Sequence, residues 1–210
     1  PNLIFKYFGL LIIDELYFYE DFNELLNEEY LPKEFFLKKK LSNYSRGKVI
    51  PARILEKIID KRIFLVLLRP RTNLYLRTTP YISFTNIKSN KVENNVPTNF
   101  HLDAPDQVRA TILLNNIDKD SPKMQVLSQS HKFTFIHLNE VIDCTGLFGT
   151  TVFHNGNTAH KLSTNRNSKS RLTLNLSFTY DINKVSKLSK KDKEYFFKGV
   201  SKKEWDGYGD

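Results

Sequence analysis

Arg171-Leu172-Thr173-Leu174-Asn175-Leu176-Ser177-Phe178-Thr179-Tyr180 is the cleanest alternation in the chain. Leu172, Leu174, Leu176 and Phe178 fall on one face; Arg171, Thr173, Asn175, Ser177 and Thr179 fall on the other. A period of two is that of a β-strand. A half-buried strand normally turns its polar row to water, which makes Arg171 a surface residue. If the row lines the inside of a barrel instead, Arg171 is a cation in a concave site. It then needs a carboxylate partner, because an unpaired buried charge is very costly. The strand by itself leaves both readings open.

Upstream, short β-rich runs alternate with turn-forming residues: Tyr81 to Ile87, Val108 to Leu114, Met124 to Leu127 and Thr150 to Phe153. This spacing predicts a β-sandwich or barrel. Lys88 to Asn99 is polar, rich in Asn and without an apolar period, and it reads as a loop and candidate lid. Ahead of the β-rich part, Gly9 to Tyr30 reads as a short strand (Leu10 to Ile13) followed by a helix bearing Leu16, Phe18, Phe22, Leu25 and Leu26. A second helix is predicted over 51–68, with Ile54, Ile58, Ile59, Ile63 and Leu67 on one face and Arg69-Pro70 ending it. A last helix starts at Ser189 and ends at Gly199. The expected class is mainly β with flanking helices (α+β), in one domain: 1–74 as strand plus helical support, 75–181 as the β-core, 182–210 as a covering helix and tail.

The 210 residues, 40% of them apolar and 13% aromatic, suit one folded domain and exclude a disordered chain. The single cysteine, Cys144, allows no internal disulfide and makes a reducing, cytoplasmic setting the default. The net charge of +9 raises the question of nucleic acid. The lysines, however, concentrate in Lys38-Lys39-Lys40 and between Lys184 and Lys203, as on a solvated helix face. No nucleic-acid partner is expected. Leu3 to Ile13 is too short to span a bilayer and lacks a cleavage site, so neither a membrane span nor a targeting signal is expected. The sequence starts at Pro1, which leaves open what precedes it. Oligomeric state is not readable.

The chemistry concentrates in two places. His101-Leu102-Asp103 follows the polar loop, and in an extended segment its first and third side chains point the same way. Thr151-Val152-Phe153 reads as a buried strand, and the small-residue turn Asn155-Gly156-Asn157-Thr158 leads from it to His160. Two imidazoles and a carboxylate suit Fe(II) and leave coordination positions open. Arg171 follows His160 by eleven residues. Its guanidinium fork matches a ligand carboxylate, and Thr173 on the same face adds a hydroxyl. His137 reads as solvent-facing. Cys144 reads as a partly buried thiol with no visible reason for activation. Arg109 fits substrate binding and a surface charge equally.

These residues resemble the phytanoyl-CoA dioxygenase-like family of Fe(II)- and 2-oxoglutarate-dependent oxygenases. The family pattern is His-x-Asp with a distal His, matched by His101, Asp103 and His160. An Asn five residues past the distal His and a 2-oxoglutarate-binding Arg at eleven are matched by Asn165 and Arg171. The run Gln125 to Lys132 is similar to the family's "pGSH" segment, with Ser128-Gln129 where Pro-Gly is usual. Phe153-His154-Asn155-Gly156 is similar to the run leading into the distal histidine. In that family context His131 reads as a structural or site-edge residue and His154 as a neighbour of the metal strand. The resemblance covers most of the chain and is most specific from Phe100 to Phe178. It implies a double-stranded β-helix (jelly-roll, cupin-like) for the core and iron held by His101, Asp103 and His160. It also implies 2-oxoglutarate anchored by Arg171 with Thr173, and by Thr111 on a rough alignment, with O2 as co-reactant. The implied activity is hydroxylation of a small or carrier-bound metabolite with release of succinate and CO2. Asp103 argues against halogenation, since related halogenases replace that carboxylate. The compact interval between Asp103 and His160 makes phytanoyl-CoA itself a poor candidate substrate. Two rivals stand beside this: a jelly-roll protein that binds metal or ligand without oxidation, and a basic interaction module for an anionic partner.

Overall fold

The computed structural model describes residues 9–27, 29–32, 44–47, 50, 54–55, 58–59, 63, 66–67, 74–78, 80–86, 98–132, 140–164 and 169–184. In chain order the strands are β1 (Leu10–Ile13), β2 (Tyr44–Arg46), β3 (Tyr75–Leu76), β4 (Tyr81–Thr85), β5 (Gln107–Leu113), β6 (Met124–Leu127), β7 (Val141–Cys144), β8 (Thr151–Asn155), β9 (His160–Leu162) and β10 (Arg171–Thr179). The alternating stretch thus forms β10, the longest of them. It lies inside an antiparallel sheet of order β1-β8-β5-β10-β4-β2, with β3 also paired to β10. A smaller sheet, β7-β6-β9, completes a jelly roll. The large sheet also takes β1 and β2 from the segment read as support.

The orientation of β10 is settled by what covers its leucine face. Leu172, Leu174, Leu176 and Phe178 share one core with Ile82, Ala110, Ile112 and Phe153 of the neighbouring strands. Ile54, Leu55, Ile58, Ile63, Val66 and Leu67 of the predicted second helix complete it. Those six residues are helical and buried. Each buried aliphatic contributes roughly 1.5–3 kcal/mol by leaving water, so this face goes to the helical layer and the polar row faces the smaller sheet. The same parity holds on β5, where Val108, Ala110 and Ile112 join the core while Arg109 and Thr111 face the other way. Between the sheets a second, smaller core of Leu10, Met124, Val126, Cys144, Val152 and Leu162 closes one part of the interior.

The first predicted helix takes another form. Tyr19–Phe22 is a single 3-10 turn, and the Phe18 backbone N–H donates to Asp21 Oδ2 at 2.9 Å. Such a local side-chain bond offers the backbone an alternative to a helix. Tyr17, Phe22 and Leu25 are buried, and the Tyr17 hydroxyl donates to the Ile58 carbonyl at 2.6 Å. Phe18, assigned above to the apolar face, is 62% exposed. The predicted helix from Ser189 and most of the candidate lid, residues 88–97, lie outside the described residues, as do His137 and Asn165. No helix among the described residues is long and apolar enough to cross a membrane.

Candidate metal centre

His101 and His160 lie far apart in sequence and directly across from each other in space. They form an antiparallel bridge in which each backbone N–H donates to the other's carbonyl at 3.0 Å. The segment from His101 is extended as predicted: Leu102 points out, 59% exposed, while Asp103 turns inward beside His101. The Asp103 N–H donates to the Gly156 carbonyl at 2.8 Å, which ties this segment to the turn before His160. A β-carbon on Gly156 would stand 1.9 Å from the Ala104 carbonyl oxygen, so only glycine permits this approach. One ligand atom from each of His101, Asp103 and His160 lies within 4.8 Å of the others.

Both imidazoles are oriented through Nδ1. That of His101 lies 3.1 Å from the Asn99 carbonyl oxygen and that of His160 lies 2.9 Å from the Thr158 carbonyl oxygen. These contacts place the ring proton on Nδ1 and leave the Nε2 lone pair facing the site, as metal-bound histidines are held. Burial lowers the pKa of His160, against the Thr158 carbonyl and Asp103. Its neutral Nε2 therefore faces Asp103 Oδ2 across 3.5 Å with no proton between them. Two acceptors so placed can share one cation. The donor set fits a divalent metal of the two-histidine, one-carboxylate class.

His154 stacks on His160 with ring centroids 4.4 Å apart, the same spacing as His101 to His160. Burial first, and then His160 beside it and the positive Arg109, hold its pKa well below the ordinary histidine value. It stands outside the ligand group, in agreement with its reading as a neighbour.

The site opens into a cleft of about 450 Å³ of non-atom space, solvent mouth included. Arg171, Thr111, Ser83 and Asn175 line it, together with Tyr81 and Arg109. Arg171 is 4% exposed, so the surface reading of this residue does not hold. Asn115 fixes the start of β10: its side chain accepts from Leu172 N at 2.7 Å and donates to the Ser170 carbonyl at 2.9 Å. Thr173 is fully buried, and its hydroxyl lies 2.9 Å from Ser83 Oγ and 3.3 Å from Asn175 Nδ2. Ser83 and Asn175 therefore present the polar wall, and Thr173 stands behind them.

Two further residues take defined places at the site. Arg109 reaches the Asp103 carboxylate: Nη2 donates to Oδ1 at 3.2 Å, and Nε sits 2.7 Å from Oδ2, off the line of a hydrogen bond. Its spacing of two from Thr111 is the signal that puts it in the cleft. Ser130 fastens the strand bearing His160, since its hydroxyl donates to Leu127 O at 2.7 Å and accepts from Ala159 N at 2.8 Å. Cys144 is buried outright, and burial pushes its thiol up to about 12.

Neither a family model nor a curated protein matches the sequence. Solved structures do match. HygX from Streptomyces hygroscopicus, with nickel and 2-oxoglutarate bound, is 14% identical, with a TM-score of 0.64 over 86% of each chain. The chain has the fold of such 2-oxoglutarate-binding proteins. The nogalamycin-biosynthesis epimerase SnoN, in complex with Fe3+, alpha ketoglutarate and nogalamycin RO, is 12% identical, with a TM-score of 0.61 over 90% of this chain and 89% of that one. EctD from S. alaskensis, with 2-oxoglutarate and 5-hydroxyectoine, is 12% identical, with a TM-score of 0.59 over 85% and 74%. At these identities the likeness is one of fold.

Proposed function

We propose that the protein is an Fe(II)- and 2-oxoglutarate-dependent dioxygenase that hydroxylates a small or carrier-bound metabolite. The observation that carries this reading is the convergence of His101, Asp103 and His160 within 4.8 Å, with Arg171 buried in the cleft they open on. The phytanoyl-CoA dioxygenase-like pattern supports it. So does a fold shared with proteins crystallised with iron or nickel and 2-oxoglutarate, one of them also with hygromycin B.

His101 and His160 would hold iron through Nε2 and Asp103 through its carboxylate. Iron with 2-oxoglutarate and O2 supplies oxidative decarboxylation to succinate and CO2, coupled to oxidation of a substrate C–H bond. The chain's own residues then do three things. Asn99 and Thr158 carbonyls keep both imidazoles in the ligating tautomer. Arg171 receives the far carboxylate of the keto acid, with Thr111 on the adjacent strand, while Thr173 steadies Ser83 and Asn175. Orientation of the keto acid is thereby fixed in advance, which lowers the entropy lost at reaction. The smaller core between the sheets keeps water from the closed part of the barrel.

The test is succinate formation from 2-oxoglutarate with Fe(II), in the absence and presence of candidate substrates. Asp103→Ala and His160→Ala should each abolish it; retained turnover in the His160 variant rejects its role as ligand. A wild-type protein that binds the keto acid and iron yet never consumes 2-oxoglutarate is a binding protein, and the dioxygenase reading fails.

A further inference from the structure

Among the described residues, Arg109 is the cation nearest the proposed ligands. It comes from β5, and its cross-strand partner His154 leans on His160. Its guanidinium spans both oxygens of Asp103, including Oδ2, the one that faces His160 Nε2. Gln107 Nε2 donates to the same oxygen at 3.4 Å. Any divalent ion seated on Oδ2 therefore sits a few ångströms from a fixed positive charge. Arg109 is also a wall of the cleft where the keto acid would lie, and among the described residues that wall holds no carboxylate.

We propose, resting on the metal-centre reading above, that Arg109 makes the metal position depend on the keto acid. As the counter-ion of Asp103 it opposes a divalent ion binding alone, and it favours the dianionic acid that follows. The sign follows from Coulomb's law. Toward the metal alone the guanidinium is a like charge, and it competes for Oδ2. Toward the metal and the acid together its repulsion of two positive charges is offset by attraction for two negative ones. Arg109 thus weakens metal binding in the empty cleft and strengthens keto-acid binding in the loaded one, leaving the sum nearly unchanged. The resulting coupling is reciprocal: 2-oxoglutarate tightens the metal by the same factor as the metal tightens 2-oxoglutarate.

Calorimetric titration of Co(II), with and without saturating 2-oxoglutarate, tests this without turnover. Arg109→Met should tighten Co(II) alone about tenfold, the order expected from removing one like charge a few ångströms away in a site open to solvent. On the Co(II)-loaded protein it should weaken 2-oxoglutarate by about the same factor. Arg109→Lys, which keeps the charge, should stay close to wild type for Co(II). Co(II) affinity that is unchanged or weaker in Arg109→Met overturns the proposal, as does a Lys variant as tight as the Met one. Weakened 2-oxoglutarate without tightened Co(II) also overturns it, by making Arg109 a direct contact to the acid. A wild-type protein that binds no Co(II) overturns the metal-centre reading itself, a result distinct from all of these.

Discussion

Replacing Gly156 by alanine should disable the metal centre through the backbone while touching none of its proposed ligands. The new β-carbon would start 1.9 Å from the Ala104 carbonyl oxygen, and ordinary contact begins near 3.4 Å, so the two segments must part by about 1.5 Å. They cannot part independently. Gly156 O accepts from Asp103 N at 2.8 Å, and Gly156 N donates to Gln107 O at 2.7 Å. The shift therefore carries Asp103 relative to His160, whose Nε2 now lies 3.5 Å from the carboxylate. A displacement of about 1 Å in such a constellation typically costs about 100-fold in function. Overpacking of this kind costs about 1–3 kcal/mol of stability, which in a chain of this size lowers Tm by roughly 2–12 °C. Calorimetry with Co(II) at a temperature well below the melt separates the two effects. The expected result is a folded protein with Co(II) affinity reduced about 10–100-fold. A lowered Tm with Co(II) affinity within about threefold of wild type would refute the reasoning, since stability would then be lost without the site noticing.

Three further outcomes follow from individual positions. Arg171→Met should raise the 2-oxoglutarate concentration needed for half-saturation about 30-fold or more, as for loss of one partner of a buried charge pair. Its Co(II) affinity without the acid should stay within about threefold, and a parallel loss of both would show a structural role instead. Gln129 has φ +60°, in the left-handed region. Gln129→Gly should therefore leave chemical-denaturation stability unchanged or raise it by up to about 1 kcal/mol, whereas Gln129→Val should lower it by about 1–2 kcal/mol. Cys144, with its thiol pushed up to about 12 by burial, should resist iodoacetamide in the native protein at mildly alkaline pH. It should react fully once the chain is denatured, and rapid native labelling would contradict its burial.

The strands could be read wherever one face was apolar and the other polar. β10 and β5 are located almost to the residue, because alternation against a packed core leaves a period of two, while β1 and β6 are found as short apolar-rich runs. β2, β3 and β9 are not, since two or three residues are too few to carry any period. β9 is held less by its own pattern than by register, with His160 opposite Val126 on one side and His101 on the other. The strand Leu10–Ile13 is where the sequence places it, but the helix expected after it misleads for a related reason. Its aromatic residues are spaced like a helix, yet a single side-chain bond from Asp21 and the burial of Tyr17 under Ile58 outweigh that spacing. Gln129 is the informative departure. The turn puts Gln129 in the left-handed region that glycine adopts freely, and the chain meets the demand with a residue that bears the strain.

The question left open by the sequence was which way Arg171 faces, and no property of β10 alone decides it. A strand with one leucine face and one polar face is equally consistent with a polar row in water or in a cleft. The decision comes from elsewhere in the chain, from Ile54, Leu55, Ile58, Ile63, Val66 and Leu67. They supply an apolar layer that can bury only the leucine face, and once it does, the polar row has nowhere to go but inward. Burying Arg171, Thr173 and Ser83 in a purely structural barrel costs desolvation that their hydrogen bonds do no more than offset. An aliphatic lining would pack there at no such cost. That a polar wall and a guanidinium occupy this position, beside two histidines held with their lone pairs toward one carboxylate, is what a site selected for an anionic ligand and a cation would require.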